Sequence, residues 1–207
     1  MLHLFFFNCG PIGWLLLLLE ALCIVLLTER FFYYHREQIN AREFGTGIKN
    51  VLRRENVMEA LSICDATPGP VARLVKAAIL NREQGKLAVK DILESAGLQE
   101  LPQLEARLTW LATLSHMGTP LGLLGTIVGL IKTFQGVYMN GAFADAASLS
   151  GGICEALIAT ALGLILSITA STAYNYLTER MNAIILDMEK SATDVSIYLF
   201  DSNTQGK

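Results

Sequence analysis

The amino-acid sequence predicts an all-α integral membrane protein: three transmembrane helices, N-terminus out and C-terminus in, extended by a helical cytoplasmic domain. Two observations carry the fold class. Apolar residues make up 52% of the 207 and charged residues only 17%, against about 25% charged in typical soluble domains. The deficit is concentrated in three stretches. Residues 12–32 hold Glu20, Glu29 and Arg30, residues 108–138 hold only Lys132, and residues 146–177 hold only Glu155. Each exceeds the roughly 20 residues that cross a hydrocarbon core, and too little polar chain remains to cover three such helices in water. A third observation sets the orientation. Residues 33–107 carry eleven Lys and Arg, while the head up to Pro11 and the loop 138–144 carry none. Positive-inside bias places the long middle segment and the tail, with Arg180, Lys190 and Lys207, in the cytoplasm.

The elements follow in order. Residues 1–11 form an outer N-terminal segment and 12–32 the first span. That span has no basic n-region and no A-x-A site, so it reads as a retained helix rather than a cleaved signal. Residues 33–107 form the cytoplasmic domain, in which ten acids offset the eleven bases. There, Tyr33 to Phe44 continues the first span and Gly45-Thr46-Gly47 interrupts it. Asn56 to Cys64 is a short helix with Val57, Ala60, Leu61 and Cys64 on one face. Thr67-Pro68-Gly69-Pro70 is a turn. Val71 to Asn81 and Leu87 to Ser95 are helices, with Gly97 as a stop. From Pro102 the pattern runs unbroken into the second span, residues 108–137. An outer loop, 138–144, leads to the third span, 145–177, and residues 178–207 are a cytoplasmic C-terminal helix and tail.

The second span carries the most specific string. Gly118, Gly122, Gly125, Gly129, Thr133 and Gly136 recur at steps of three and four, giving one small-residue stripe. Such stripes let helix backbones approach closely in lipid, and that alone accounts for the glycines. Thr126 is less well explained by packing, because its hydroxyl can meet a partner helix or an ion. In the third span Gly163, Ser167, Ser171 and Tyr174 all fall within about 60° of Thr160. Glu155 lies roughly 140° from Thr160, on another face. With a helix start near Ala144 it is about eleven residues, or roughly 16 Å, into the span. A carboxyl at that depth is costly and marks a functional or strongly paired site.

Other chemistry is not encoded. No basic run exceeds Arg53-Arg54, so nucleic-acid binding has no electrostatic footprint. The four cysteines (Cys9, Cys23, Cys64, Cys154) and three histidines (His3, His35, His116) are dispersed, which gives neither a metal site nor a disulfide framework. No nucleophile–base pair is visible, so an enzyme is not expected, and no cofactor is called for.

Several strings together carry a family resemblance. They are Gly122-Leu123-Leu124-Gly125-Thr126 with Phe134-Gln135, Glu155-Ala156-Leu157 with Ala159-Thr160-Ala161, and Ala173-Tyr174-Asn175-Tyr176. Glu29-Arg30 and Glu59-Ala60-Leu61-Ser62-Ile63-Cys64 add to them. In this order the chain closely resembles the TolQ/ExbB/MotA proton-channel family, on its ExbB/TolQ side. The resemblance covers nearly the whole chain. It implies an ion-driven, non-enzymatic motor subunit of the bacterial inner membrane, with five copies around a dimer of an ExbD- or TolR-like partner. That partner has a single span bearing an essential aspartate, and its protonation from outside is thought to drive rotation. The work is passed on through a TonB- or TolA-like protein. ExbB-like energising of TonB-dependent outer-membrane transport is favoured, TolQ-like envelope maintenance comes second, and a passive scaffold is the reading of another class. The ion implied is the proton, with sodium as the alternative used by some relatives.

Carried over by position, the resemblance makes Thr126 and Thr160 the partner-facing hydroxyls and Glu155 the intramembrane carboxylate of the ion path. Ser167 and Tyr174 stand as accessory candidates, and Gly118, Gly122, Gly125, Gly129 and Gly163 as packing positions. Three departures stand out. Thr119 occupies a position where the family often has Pro, and Pro120 follows it. Glu20 falls where relatives commonly have a small or apolar residue. It is expected to pair with a polar group on a neighbouring helix, the alternative being a further proton-accessible group. Lys132 is expected to snorkel to the headgroups. The fourth span expected of MotA is not seen.

Overall fold

A computed structural model describes residues 10–37, 41–54, 56–140 and 146–201. Most of the expected outer N-terminal segment and outer loop, and the last residues of the tail, lie outside these. The regular structure described is helical throughout: α1 (Gly10–Glu37), α2 (Ala41–Leu52), α3 (Val57–Ala66), α4 (Pro70–Leu80), a 3-10 turn (Arg82–Gln84), α5 (Lys86–Glu105), α6 (Leu108–Asn140) and α7 (Ala146–Asp201). Three helical stretches are long and apolar enough to cross a membrane: Gly10–Glu37, Leu108–Met139 and Ser150–Phe200. The chain is an all-α membrane protein.

The helices divide between two compact units. The first takes residues up to Glu29 together with Arg107–Leu177; the second takes Arg30–Ala106 and Thr178 onward. In the first unit the core is thin and built from small or slender side chains. Leu16 and Cys23 of α1, Leu111 and Leu114 of α6, and Ala156, Ala159, Leu166, Ala170 and Ala173 of α7 are buried. Most other large apolar side chains of these helices, including Leu18, Ile127 and Ile168, remain exposed. That is what a span facing lipid or other subunits presents, since lipid does not drive it inward.

The second unit has a fuller core. Ile48, Ala60, Val71, Val75, Ala78, Ile79, Val89 and Leu104 are all buried. Asn56 caps α3 by accepting a hydrogen bond from the Glu59 backbone N–H at 3.3 Å, which satisfies one first-turn donor, while its Nδ2 donates to the Glu59 carboxylate at 2.8 Å. Gly69 has φ +113°, and a Cβ there would meet the Glu37 carbonyl oxygen at 2.9 Å. Only glycine suits this turn, and Pro70 then opens α4 where its missing N–H costs nothing. Arg73 grips Glu100 through Nε and Nη2 at 2.7 and 2.8 Å, and lies 3.6 Å from Glu37. The Tyr34 hydroxyl donates to the Leu104 carbonyl at 2.6 Å.

Three local expectations give way here. Gly45 and Gly47 do not interrupt a helix; they lie inside α2. Two helical glycines cost about 1 kcal/mol each, but Ile48 on the same helix is completely buried, and that burial is of comparable size or larger. Gly97 is no stop either: α5 continues to Glu105, and Gly97 leaves room for Leu74 of α4, whose Cδ2 is 4.0 Å from where a Cβ would stand. The largest difference is at residues 106–107, where the expected unbroken helix is broken. Ala106 turns extended (φ −50°, ψ 137°) and Arg107 takes φ +66°, a left-handed conformation uncommon for a side chain of this size. The Arg107 guanidinium pairs with Glu29, which fixes the turn before α6 starts at Leu108.

Candidate membrane ion path

Helices α6 and α7 of the first unit run antiparallel in one consistent register. A Cβ at Gly118 would meet the Gly163 carbonyl oxygen at 2.7 Å and Ser167 N at 2.8 Å; one at Gly122 would meet Gly163 Cα at 3.1 Å. At Gly125 it would meet Ala159 Cβ at 2.3 Å, and at Gly129 Ala156 Cβ and the Gly152 carbonyl at 2.8 Å each. Thr133 closes the series, its Oγ1 standing 2.2 Å from where a Gly152 Cβ would be. Facing residue numbers add to about 283 throughout, as two packed antiparallel helices require. The glycine stripe therefore packs on α7 of its own chain. Gly136, at its end, has nothing within 4 Å. Ser167 adds a hydrogen bond, donating to the Ser115 carbonyl of α6 at 2.6 Å.

This register fixes where the candidate polar groups lie. Thr126 and Thr160 each stand about fourteen residues, roughly 21 Å at 1.5 Å per residue, from the loop ends of α6 and α7. They lie within one helical turn of each other. At 100° per residue each sits about 70° off the line of contact between the helices. Because the helices are antiparallel, both offsets turn to the same side. Thr126 donates to its own helix at the Leu123 carbonyl, 2.5 Å, and Thr160 to the Ala156 carbonyl, 3.2 Å. Their protons are engaged on the backbone, while oxygen lone pairs remain to accept from a donor or coordinate a cation. Both are half-buried. Tyr174 falls within about 40° of Thr160 on α7, whereas Ser167 is committed to the Ser115 carbonyl.

Helix α1 packs on the opposite side. Ile12 Cγ2 would touch a Cβ at Gly125 at 3.3 Å, and the Thr169 hydroxyl is 3.0 and 3.1 Å from the two carboxylate oxygens of Glu20. Thr169 is the partner that sequence alone does not name for Glu20. Glu155 also faces this side. Its Oε1 accepts from Lys132 Nζ at 2.6 Å, and a Cβ at Gly10 would collide with the same oxygen. Thr126 and Thr160 are thus brought to one face, and Glu155 is placed on another. Lys132, expected to snorkel to the headgroups, instead has the Glu155 carboxylate as its partner in the structure. Among the described residues no cluster of His, Cys, Asp or Glu forms a metal site.

Three helices long and apolar enough to span, two of them packed along a glycine face, define a multi-span helical membrane protein. Residues 66–190, more than half of the chain, match the MotA/TolQ/ExbB proton channel family, and the chain belongs to that family. It is 25% identical over 174 residues to a biopolymer transport ExbB homolog of Methanothermobacter thermautotrophicus, covering 84% of this chain and 61% of that protein. It is 37% identical to the Tol-Pal system protein TolQ of Haemophilus influenzae, over 52% of this chain and 48% of TolQ. With the biopolymer transport protein ExbB of Neisseria gonorrhoeae the identity is 25% over 90% of both chains. The chain thus spans less than two thirds of the first and second of these relatives and nearly all of the third. It is an ExbB/TolQ-type member.

Proposed function

We propose that the protein is the ExbB-like subunit of an ion-driven motor of the bacterial inner membrane. It passes proton-motive force through an ExbD/TolR-type partner to TonB-dependent outer-membrane transport. Five copies would surround the partner, whose single span carries the aspartate that takes up the proton. The observation that carries this reading is the placement of Thr126 and Thr160 within one helical turn of each other on one side of α6 and α7, away from α1. Oxygen lone pairs within one turn of each other on an unfilled helix face are what a translocated proton, or sodium as the alternative, needs from a wall around a partner's carboxylate. Exposed Leu123, Leu130 and Leu164 flank the threonines, which suits an apolar partner helix.

A TolQ-like role in envelope integrity is the second reading, supported by the higher identity to TolQ over the stretch it shares. Replacing Thr126 or Thr160 by Val keeps the shape and removes the polar group. Each variant is expected to co-purify with the partner, yet to abolish growth on an iron source that requires energised outer-membrane uptake. Normal growth of both would leave the chain as a scaffold. Detergent sensitivity of the deletion strain with normal uptake would move it to the TolQ role.

A further inference from the structure

We propose that Lys132 and Glu155 form a positioning pair, which holds α6 and α7 in the register that brings Thr126 and Thr160 within one helical turn of each other, and that Glu155 is not itself a stage in the ion path. The inference rests on the reading of the two threonines as that path. Three observations carry it. The ion pair is direct, Nζ to Oε1 at 2.6 Å, and bridges α6 to α7. It lies on the α1 side of the helix pair, where the Glu155 side chain is only 19% exposed, and not on the side of the hydroxyls. The first residue of α1, Gly10, packs on the same carboxylate so closely that no Cβ fits between them. A carboxylate that ties three helices at once is held, whereas a group that hands on an ion must be reachable from the path and free to reorient.

The pair also sits at the end of the glycine contact. Lys132 adjoins Thr133, which packs into Gly152, and Glu155 adjoins Ala156, which packs against Gly129. Glycine contacts alone fix how close the helices come but resist sliding weakly, since one small surface is much like the next. A charge pair between fixed positions penalises a slip of one turn, because the slip leaves both charges unpaired in the membrane. Lys132 thereby acts on ion transfer through the geometry of the threonines.

The test is a double-mutant cycle in the full complex, with Lys132→Gln, Glu155→Gln and both together. Each variant is co-purified with the partner for thermal unfolding, and assayed in proteoliposomes for proton uptake across a pH series. A positioning pair predicts that each single variant lowers proton uptake by at least about tenfold, since it strands one charge. The double variant then recovers to within about threefold of wild type with an unchanged pH profile, and its thermal loss is smaller than the sum of the singles. Lys132→Arg, which keeps the charge, retains uptake.

The proposal is overturned if the double variant transports no better than Glu155→Gln alone. It is equally overturned by additive thermal losses or by single variants that transport normally. Thr126→Val is measured alongside. Should it transport normally while the cycle shows coupling, the ion-path reading fails and the pair stands as a structural tie.

Discussion

The hydroxyl of Ser167 on α7 donates to the carbonyl oxygen of Ser115 on α6, 52 positions away in the chain, at 2.6 Å. It is a side-chain bond between helices whose close contact is built mainly from glycine and alanine. One turn along, a Cβ at Gly118 would stand within 2.8 Å of Ser167 N and 3.1 Å of its Cα, so the bond forms where the two backbones are closest.

Removing that hydroxyl tests what the bond is worth. Ser167→Ala keeps the close approach and is expected to destabilise the first unit by about 0.5–1.5 kcal/mol, the range for hydrogen bonds between membrane helices. Ser167→Val adds a branched side chain at the tightest point and should cost more. Thermal unfolding in a fixed detergent would read both, and equal midpoints for wild type and Ser167→Ala would mean that the bond adds nothing.

The glycine series gives a graded prediction. Gly118→Ala places a methyl group against a backbone carbonyl that has no room to yield, and Gly125→Leu drives a large side chain into Ala159 and Ile12. Overpacking of this kind costs about 1–3 kcal/mol. Gly136→Ala has open space and should be neutral or slightly stabilising through its better helix propensity. Because these contacts are within one chain, the expected damage is to folding of the subunit itself. An unaltered unfolding midpoint for Gly118→Ala would contradict the register.

The sequence displayed some of this plainly and hid the rest for identifiable reasons. Gaps between charges revealed all three spans, since a bilayer admits few charges whatever the tertiary contacts. The glycine spacing revealed a contact face, but not its partner, because a small-residue stripe looks the same against its own chain or a neighbour. The pairing of Lys132 with Glu155 and of Glu20 with Thr169 depends on helix register, and no local signal encodes that. The break at Ala106 and Arg107 was hidden because neither residue is a turn former. Gly45, Gly47 and Gly97 pointed the other way, their local preference outweighed by buried neighbours such as Ile48 and Leu93.

Alkaline pH should expose the second unit through Cys64. Burial among α3 and α4 pushes this thiol from 9.0 up to about 11, with Asp65 adding to the rise. A raised acid is neutral in both folded and unfolded chains below pH 9, so stability is unaffected there. Between pH 9 and about 11 the unfolded chain loses its proton first, and stability falls. Cys64→Ala is expected to remove this part of the alkaline loss, at the price of a small cavity. If wild type and variant lose stability in parallel between pH 9 and 11, the thiol is not the group responsible.

Orientation in the membrane can be checked with the same chemistry. A cysteine replacing Ser95, exposed on α5, should be shielded from a membrane-impermeant maleimide in intact spheroplasts and react after lysis. One at Ala142, in the expected outer loop, should react in intact spheroplasts. Cys23 and Cys64 are buried thiols and Cys154 is exposed on α7, beside Glu155 near the outer end of the third span. Cys9 and Cys154 must therefore be replaced to silence the outer side, and Cys64 to lower the signal after lysis. The expected asymmetry follows from eleven basic residues between positions 33 and 107 against none in the outer segments. Labelling at residue 95 in intact cells, with none at 142, would turn the chain over and run the path along Thr126 and Thr160 from the opposite side.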